Sequence, residues 1–336
     1  MSLNIYPEVT HCLAKSLALE YGPEIDAICD EIKAACKGWG TDEKRLIKAV
    51  ASCDAETRTK VSRRYKEMHG KELTDLMRKE AGGDFGRALQ MLSVPPDVTE
   101  ALIVRMATKG LGTSEKWLYP VICGRSNAEI EILKKAYFKT YGKDLGQLIG
   151  SETSGDLHKL LVTCVQGIEE EFDPDRHTAD KAEEDAEAFY KAGQARWGTD
   201  EKAIFKIICL SPPRYVEMIN RAYADKYGYT LFKALEKEMR GITKTAALHT
   251  LGMKLKPYET IAHLIKSACA GMGTDEEQLS ACIIRYQAVW EKVELAHLDL
   301  FGKSVADRVK HETSGHYKRL LLAVLEKSWP DSSNAY

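Results

Sequence analysis

Proline is scarce, at ten in 336 residues. Because proline breaks helix interiors, the shortage fits a helix-rich chain. Long apolar runs are missing too. No stretch free of Asp, Glu, Lys and Arg exceeds nine residues, whereas a membrane-crossing helix needs about 20 apolar residues. The start, Met1-Ser2-Leu3-Asn4-Ile5-Tyr6-Pro7, has neither a basic end nor a long apolar core, which argues against a secretory signal. Ser2 excludes an N-myristoyl glycine, and the tail Ser333-Asn334-Ala335-Tyr336 is no prenylation signal. These absences predict a cytosolic chain whose membrane contact is peripheral, without a transmembrane segment.

Cysteine is plentiful but unpaired in pattern. The nine residues are an odd number, widely spaced, with no C-x-x-C, so reduced thiols are expected rather than a disulfide framework or structural zinc. Cys123 and Cys209 fall in apolar stretches, as buried cysteines do. A dense basic stripe is also lacking, which excludes nucleic acid as a partner. Sustained period-two alternation is absent, so no sheet is expected. At 44% hydrophobic and 29% charged residues the composition is that of an ordinary globular protein, not a disordered one. The net charge is −2, but residues 167–190 carry ten acids against Arg176 and Lys181, a local −8 that leaves +6 on the other 312 residues.

What the chain does contain is a fourfold repeat. Gly38-Trp39-Gly40-Thr41, Gly110-Leu111-Gly112-Thr113, Arg196-Trp197-Gly198-Thr199 and Gly271-Met272-Gly273-Thr274 place their threonines 72, 86 and 75 residues apart. Gly70, Gly142, Gly228 and Gly302 follow at distances of 29, 29, 29 and 28, and Glu80, Glu152, Glu238 and Glu312 each lie ten residues beyond their glycine. Three landmarks holding register four times mark a repeat architecture. Within a repeat the period is helical. Ile25, Ile28, Cys29, Ile32, Ala35 and Cys36 keep one apolar face, as do Ile261, Leu264, Ile265, Ala268 and Cys269. The loop threonine suits an N-cap, and the later glycine a left-handed C-cap.

The repeated loop has a chemistry of its own. A Gly-x-Gly turn can aim several backbone carbonyls at one point. A carboxylate 39 residues after the threonine (38 in the fourth repeat) meets that point if the helices fold back. Carbonyls with one carboxylate suit Ca²⁺, a hard cation with about 6–8 oxygen ligands, better than Mg²⁺. One acid per loop leaves the shell incomplete, so water or an external oxygen such as a lipid phosphate must finish it.

These motifs resemble those of the annexins. The family's mark is G-x-G-T followed, after 38 intervening residues, by Asp or Glu, in four repeats. This chain keeps that spacing in three repeats and has 37 intervening residues in the fourth. Lys37-Gly38-Trp39-Gly40-Thr41-Asp42-Glu43, Glu152-Thr153-Ser154-Gly155 and Glu312-Thr313-Ser314-Gly315 are similar to the family's loops and capping acids, and the acidic linker is similar as well. The likeness covers about residues 24–330. It implies an all-α fold of four repeats, five short helices each, in a curved disc. The organisation implied is a head at 1–23, repeats at 24–94, 95–166, 186–256 and 257–330, an acidic linker at 167–185 and a polar tail at 331–336. The function implied is calcium-dependent binding to anionic phospholipid, without enzymatic activity.

Carried over by position, the resemblance implies calcium ligands at Cys36, Gly38, Gly40 and Glu80; at Thr108, Gly110, Gly112 and Glu152; at Gly193, Arg196, Gly198 and Glu238; and at Cys269, Gly271, Gly273 and Glu312. The loop tips Trp39, Leu111, Trp197 and Met272 would touch the membrane, tryptophan being favoured at bilayer interfaces. Departures are visible. Ala81-Gly82-Gly83 and Met239-Arg240-Gly241 replace Thr-Ser-Gly, Arg240 places a positive charge near the third site, and the fourth repeat's missing residue threatens the position of Glu312. This divergence and the many cysteines resemble the α-giardins among the annexins, which implies association with flagella or other cytoskeletal structures. The alternative is a helical scaffold for cytoskeletal proteins with degenerate calcium loops.

Three motifs mislead. His311 and His316 are five apart, where a zinc-protease helix needs four. Gly302-Lys303-Ser304 lacks the first P-loop glycine, since position 297 is His. Asp173, Asp175 and Glu184 mimic an EF-hand, but Thr178 stands where its glycine must be.

Overall fold

A computed structural model describes residues 21–38, 40–110, 112–195, 198–271 and 273–328. The head, except for residues 21–23, and the polar tail 331–336 lie outside them. The described residues form 20 α-helices, one short 3₁₀ turn at Gln287–Val289 and no strand. The first five are α1 (Pro23–Ala35), α2 (Glu43–Ala51), α3 (Ala55–His69), α4 (Leu73–Glu80) and α5 (Gly83–Leu92). The second five are α6 (Pro96–Ala107), α7 (Glu115–Ile122), α8 (Asn127–Tyr141), α9 (Leu145–Glu152) and α10 (Gly155–Gln166). The third set is α11 (Ala179–Ala192), α12 (Glu201–Leu210), α13 (Pro213–Tyr227), α14 (Leu231–Glu238) and α15 (Gly241–Leu255). The last is α16 (Pro257–Ala268), α17 (Glu276–Arg285), α18 (Trp290–Phe301), α19 (Val305–Glu312) and α20 (Gly315–Ser328).

Glycine punctuates this pattern as the sequence requires. The third helix of every set ends on a left-handed glycine, with φ of 67° at Gly70, 65° at Gly142, 79° at Gly228 and 62° at Gly302. Only a residue without Cβ adopts that conformation at no steric cost. The N-cap expectation for the threonines needs correction. Asp42, Asp200 and Asp275, one residue later, accept the backbone N–H of Arg45, Ala203 and Gln278, each at 3.1 Å. The threonine hydroxyls are turned elsewhere.

The chain divides into two compact units. One is continuous, residues 104–260; the other joins the segment before residue 104 to the segment after residue 260. In the continuous unit α10 packs on α12 and α15. Leu160 and Leu161, Ile204 and Ile208, and Ala247 and Leu251 are fully buried there. In the discontinuous unit α2 packs on α20, and α17 on α5. Leu46, Leu320, Leu321, Leu279 and Leu89 are likewise buried. Each of these leucine and isoleucine side chains contributes about 1.5–3 kcal/mol through removal from water.

The fourth set departs where its sequence is one residue short. Its third helix, α18, has 12 residues, against 15 in α3, α8 and α13, and a 3₁₀ turn precedes it. Two titratable groups are buried one turn apart on α18. Glu294 accepts the Val305 N–H at 3.1 Å, and burial pushes its carboxyl up to about 7. His297 faces the Lys303 carbonyl through Nδ1 at 2.7 Å and accepts from Arg308 at Nε2. Burial pushes it down to about 4, so it is neutral. Between the ordinary 4.5 of Glu and about 7, the folded protein holds a proton on Glu294 that the unfolded chain has lost. Stability therefore falls as pH rises through that window. His297 acts with the opposite sign between 6.5 and about 4, where the unfolded chain takes the proton. Glu294→Gln should remove the first effect alone. Its stability relative to the parent should rise by about 1–3 kcal/mol from pH 4.5 to 7, measured by urea unfolding at several pH values. A flat difference would show that Glu294 ionises normally.

Candidate metal sites in the repeated loops

Each loop joins the first and second helix of its set and is closed by the same backbone bond. The N–H after the threonine donates to the last carbonyl of the preceding helix: Asp42 to Ala35 at 2.8 Å, Ser114 to Ala107 at 2.8 Å, Asp200 to Ala192 at 2.7 Å and Asp275 to Ala268 at 2.8 Å. Closing so short a loop demands positive φ inside it. Gly38 and Gly40 lie at 114° and 90°, Gly110 and Gly112 at 124° and 88°, Gly271 and Gly273 at 104° and 98°. In the third loop Gly198 lies at 80°, while Gly193 has an ordinary φ of −114°.

The capping acids reach these loops. The Thr41 hydroxyl donates to the Glu80 carboxylate at 2.9 Å, Thr113 to Glu152 at 2.8 Å and Thr199 to Glu238 at 3.0 Å. In the fourth loop the Thr274 hydroxyl lies 3.1 Å from the Glu312 backbone oxygen and 3.5 Å from its carboxylate. The shortened fourth set thus holds its acid back. Acid and loop meet in all four sets, although 38 or 39 residues separate them.

The donors offered are oxygens. Cys36, Thr108 and Cys269 follow the last residues of α1, α6 and α16. Their side chains are not free for a metal. The Thr108 hydroxyl donates to the Val104 carbonyl at 2.9 Å. Burial pushes the Cys36 and Cys269 thiols up to about 11, with the nearby Glu80 and Glu312 adding to the shift. Among the described residues beyond the immediate chain neighbours, no atom lies within 4 Å of where a side chain would begin at Gly38, Gly40, Gly110, Gly112, Gly198, Gly271 or Gly273. Neutral carbonyls, one carboxylate and open space fit a calcium ion. Arg196 and the four tips Trp39, Leu111, Trp197 and Met272 lie outside the described residues.

Three features were not foreseen. The Gln194 amide donates to Glu238, and a Cβ on Gly193 would lie 2.9 Å from the same side chain. The Gln194 amide therefore stands against the third acid. Lys79 lies 3.5 Å from Glu80. Third, Asp84, Glu276 and Glu277 bring three carboxylates within 4.8 Å of one another, and Arg87 pairs with two of them, Asp84 and Glu277. Burial raises the Glu277 carboxyl.

The segment after each acid also differs. Thr153 and Thr313 donate their hydroxyls to the carbonyls of Ile149 and Val309, at 2.7 and 2.6 Å, closing α9 and α19. Ala81 has no hydroxyl to do this. Its carbonyl oxygen instead approaches α5 so closely that a Cβ on Gly86 would lie 2.1 Å from it.

Comparison with known proteins places this geometry. The Annexin family model matches residues 27–92, 99–164, 184–249 and 261–324. Annexin A13 of Mus musculus is 33% identical over 315 residues, covering 93% of this chain and 98% of that protein. The structure of calcium-bound annexin (Sm)1 superposes with a TM-score of 0.74 at 25% identity, covering 90% of each chain. Calcium-bound alpha-14 giardin superposes at 0.76 over 89% of this chain and 99% of its own, and at 22% identity it shares the fold alone. Four matched repeats, with a closed loop and a capping acid in each, place the chain in the annexin family.

Proposed function

We propose that this protein binds anionic phospholipid surfaces peripherally and in a calcium-dependent way, as a binding module rather than an enzyme. The annexin family is known for calcium-dependent phospholipid binding. The observation that carries the reading to this chain is the fourfold meeting of a capping acid with a closed, open-faced glycine loop. Among the described residues no helix is long and apolar enough to cross a membrane.

In the first site the carbonyls of Cys36, Gly38 and Gly40 with Glu80 would hold the ion. In the second these are Thr108, Gly110, Gly112 and Glu152. In the third they are Gly193, Arg196 and Gly198 with Glu238, and in the fourth Cys269, Gly271 and Gly273 with Glu312. Bound calcium supplies positive charge and open coordination positions for lipid phosphate oxygens. The residues supply the rest. Positive-φ glycines would turn carbonyls toward the ion, and the hydroxyls of Thr41, Thr113 and Thr199 orient their acids.

Without calcium the half-buried carboxylates of Glu80, Glu152 and Glu238, the exposed one of Glu312 and the net charge of −2 oppose an anionic surface, and four ions would bring the charge to about +6. Calcium and lipid therefore raise each other's affinity by equal factors. The protein would be cytoplasmic and recruited to the cytosolic face of membranes when calcium rises, with Trp39, Leu111, Trp197 and Met272 against the lipid.

Sedimentation with phosphatidylserine vesicles tests this. The protein should pellet with calcium, stay in solution with chelator or with phosphatidylcholine alone, and be released when chelator is added. Pelleting indifferent to calcium would reject the reading in favour of a scaffold with degenerate loops, for which cytoskeletal proteins are the natural partners.

A further inference from the structure

Away from the loops, the continuous unit holds three thiols in a row. Cys123 follows α7, Cys164 lies in the last turn of α10, and Cys209 is the penultimate residue of α12. The Cys164 Sγ is 3.6 Å from the Cys209 Sγ, and on its other side it shares a hydrogen bond with Cys123. Cys123 is fully buried, whereas Cys164 and Cys209 keep part of their surface exposed.

A cavity of about 20 Å³, room for one water-sized molecule, is lined by Cys164, Cys209, Glu169 and Lys254. Lys254 is fixed beside the thiols. Its ammonium pairs with Glu169 at 2.6 Å and donates to the carbonyls of Cys209 at 2.9 Å and Ser211 at 2.6 Å.

We propose that Cys164 and Cys209 are an oxidation-sensitive dithiol, which a hydroperoxide converts to a disulfide tying α10 to α12. The sulfurs need to close from 3.6 Å to about 2.0 Å, a move within reach of side-chain rotation. Both of these sulfurs belong to residues that line the cavity, and Cys123 does not line it.

In the first step the Cys164 thiolate attacks one oxygen of hydrogen peroxide. The O–O bond breaks, a sulfenic acid forms, and the departing hydroxide takes up the thiol's proton as water. Cys209 sulfur then attacks the sulfenic sulfur. The S–S bond forms, the S–O bond breaks, and the oxygen leaves as water with the Cys209 proton. Two thiols lose two electrons, and one peroxide becomes two waters.

The electrostatics assign the order. Hydrogen bonds from Cys123 and from Cys209 hold the Cys164 thiol well below the ordinary range, and the Lys254 charge adds to this. Its Cys209 neighbour is pushed up. Elsewhere among the described cysteines, burial raises Cys29 and Cys282 to about 12, Cys36 and Cys269 to about 11, and Cys53 as well. A raised thiol carries less of the reactive thiolate.

The test is non-reducing peptide mapping of the full chain after treatment with equimolar hydrogen peroxide. The Cys164–Cys209 linkage should be the first and most abundant disulfide, the free-thiol titre should fall by two, and dithiothreitol should restore it. Cys209→Ser should leave Cys164 as a sulfenic acid that dimedone traps, while Cys123→Ser should keep the cross-link and shows that altering the cluster does not itself abolish it. A dominant Cys123–Cys164 linkage would overturn the proposal. So would a Cys164 that stays reduced while other thiols oxidise, or one that passes straight to sulfinic acid with Cys209 intact.

Discussion

The double variant Glu80→Gln, Glu152→Gln should need at least about tenfold more calcium for half-maximal binding to phosphatidylserine vesicles, while unfolding at the parent's denaturant midpoint. Each acid would be the sole side-chain charge in its site. Exchanging it for a neutral amide of the same shape forfeits interactions with an ionised partner, of order 1.5–3 kcal/mol per site, and about 1.4 kcal/mol corresponds to tenfold in affinity. The fold should survive because the glutamine carbonyl still accepts from Thr41 or Thr113, whose hydroxyls lie 2.9 and 2.8 Å from the native carboxylates. The first two sites are the informative pair. At the third, Gln194 already occupies the acid, and at the fourth Glu312 stands back. An unchanged calcium titration on liposomes would show that these carboxylates are not ligands.

Gly86→Ala should damage the first site by a different route. The new Cβ would fall 2.1 Å from the Ala81 carbonyl oxygen and 2.6 Å from its carbon. Both are backbone atoms, so the segment that follows Glu80 must move. Overpacking of this kind costs about 1–3 kcal/mol, and the displaced residue adjoins the capping acid, so stability and calcium sensitivity should fall together. The constraint is peculiar to the first repeat. Three residues after Gly155, Gly241 and Gly315 the other repeats carry His158, Lys244 and Lys318, so a side chain at this helix position is ordinarily accommodated. Lys244→Ala is the matched control and should stay within about 0.5 kcal/mol of the parent. Equal behaviour of the two variants, by urea unfolding and vesicle titration, would show that the first loop is not held by this close approach.

Much of this was legible because the signals are local. A glycine that ends a helix in the left-handed region announces itself by type, and Gly70, Gly142, Gly228 and Gly302 all do so. The meeting of the first loop with Glu80 was legible from spacing alone, since four copies in register left little else for the acids to do; its contact with the Thr41 hydroxyl was not. The misassigned cap shows the limit of residue preference. Threonine and aspartate are both good N-caps, and the acid one position later won because the threonine hydroxyl had a carboxylate to satisfy. Gln194 was missed because it precedes the G-x-G-T window and its contact spans 44 residues. The grouping of Asp84 with Glu276 and Glu277 needed α5 packed on α17, a pairing no periodicity encodes. The closeness of Cys164 and Cys209 likewise depends on α10 meeting α12.

The division of the chain has a consequence for its synthesis. Residues 104–260 form one unit unbroken in sequence, so all its helices have been made once α15 is complete. The other unit must wait. The buried face of α2, with Leu46 and Val50, packs on α20, whose Leu320 and Leu321 are translated only after the whole continuous unit. During elongation at about 5–20 residues per second, α1 and α5 cover part of α2, while the face that meets α20 stays uncovered until the intervening segment has been made. The nascent chain should therefore carry a liability to aggregation and a claim on holding chaperones at α2, and should lose both only when α20 has emerged.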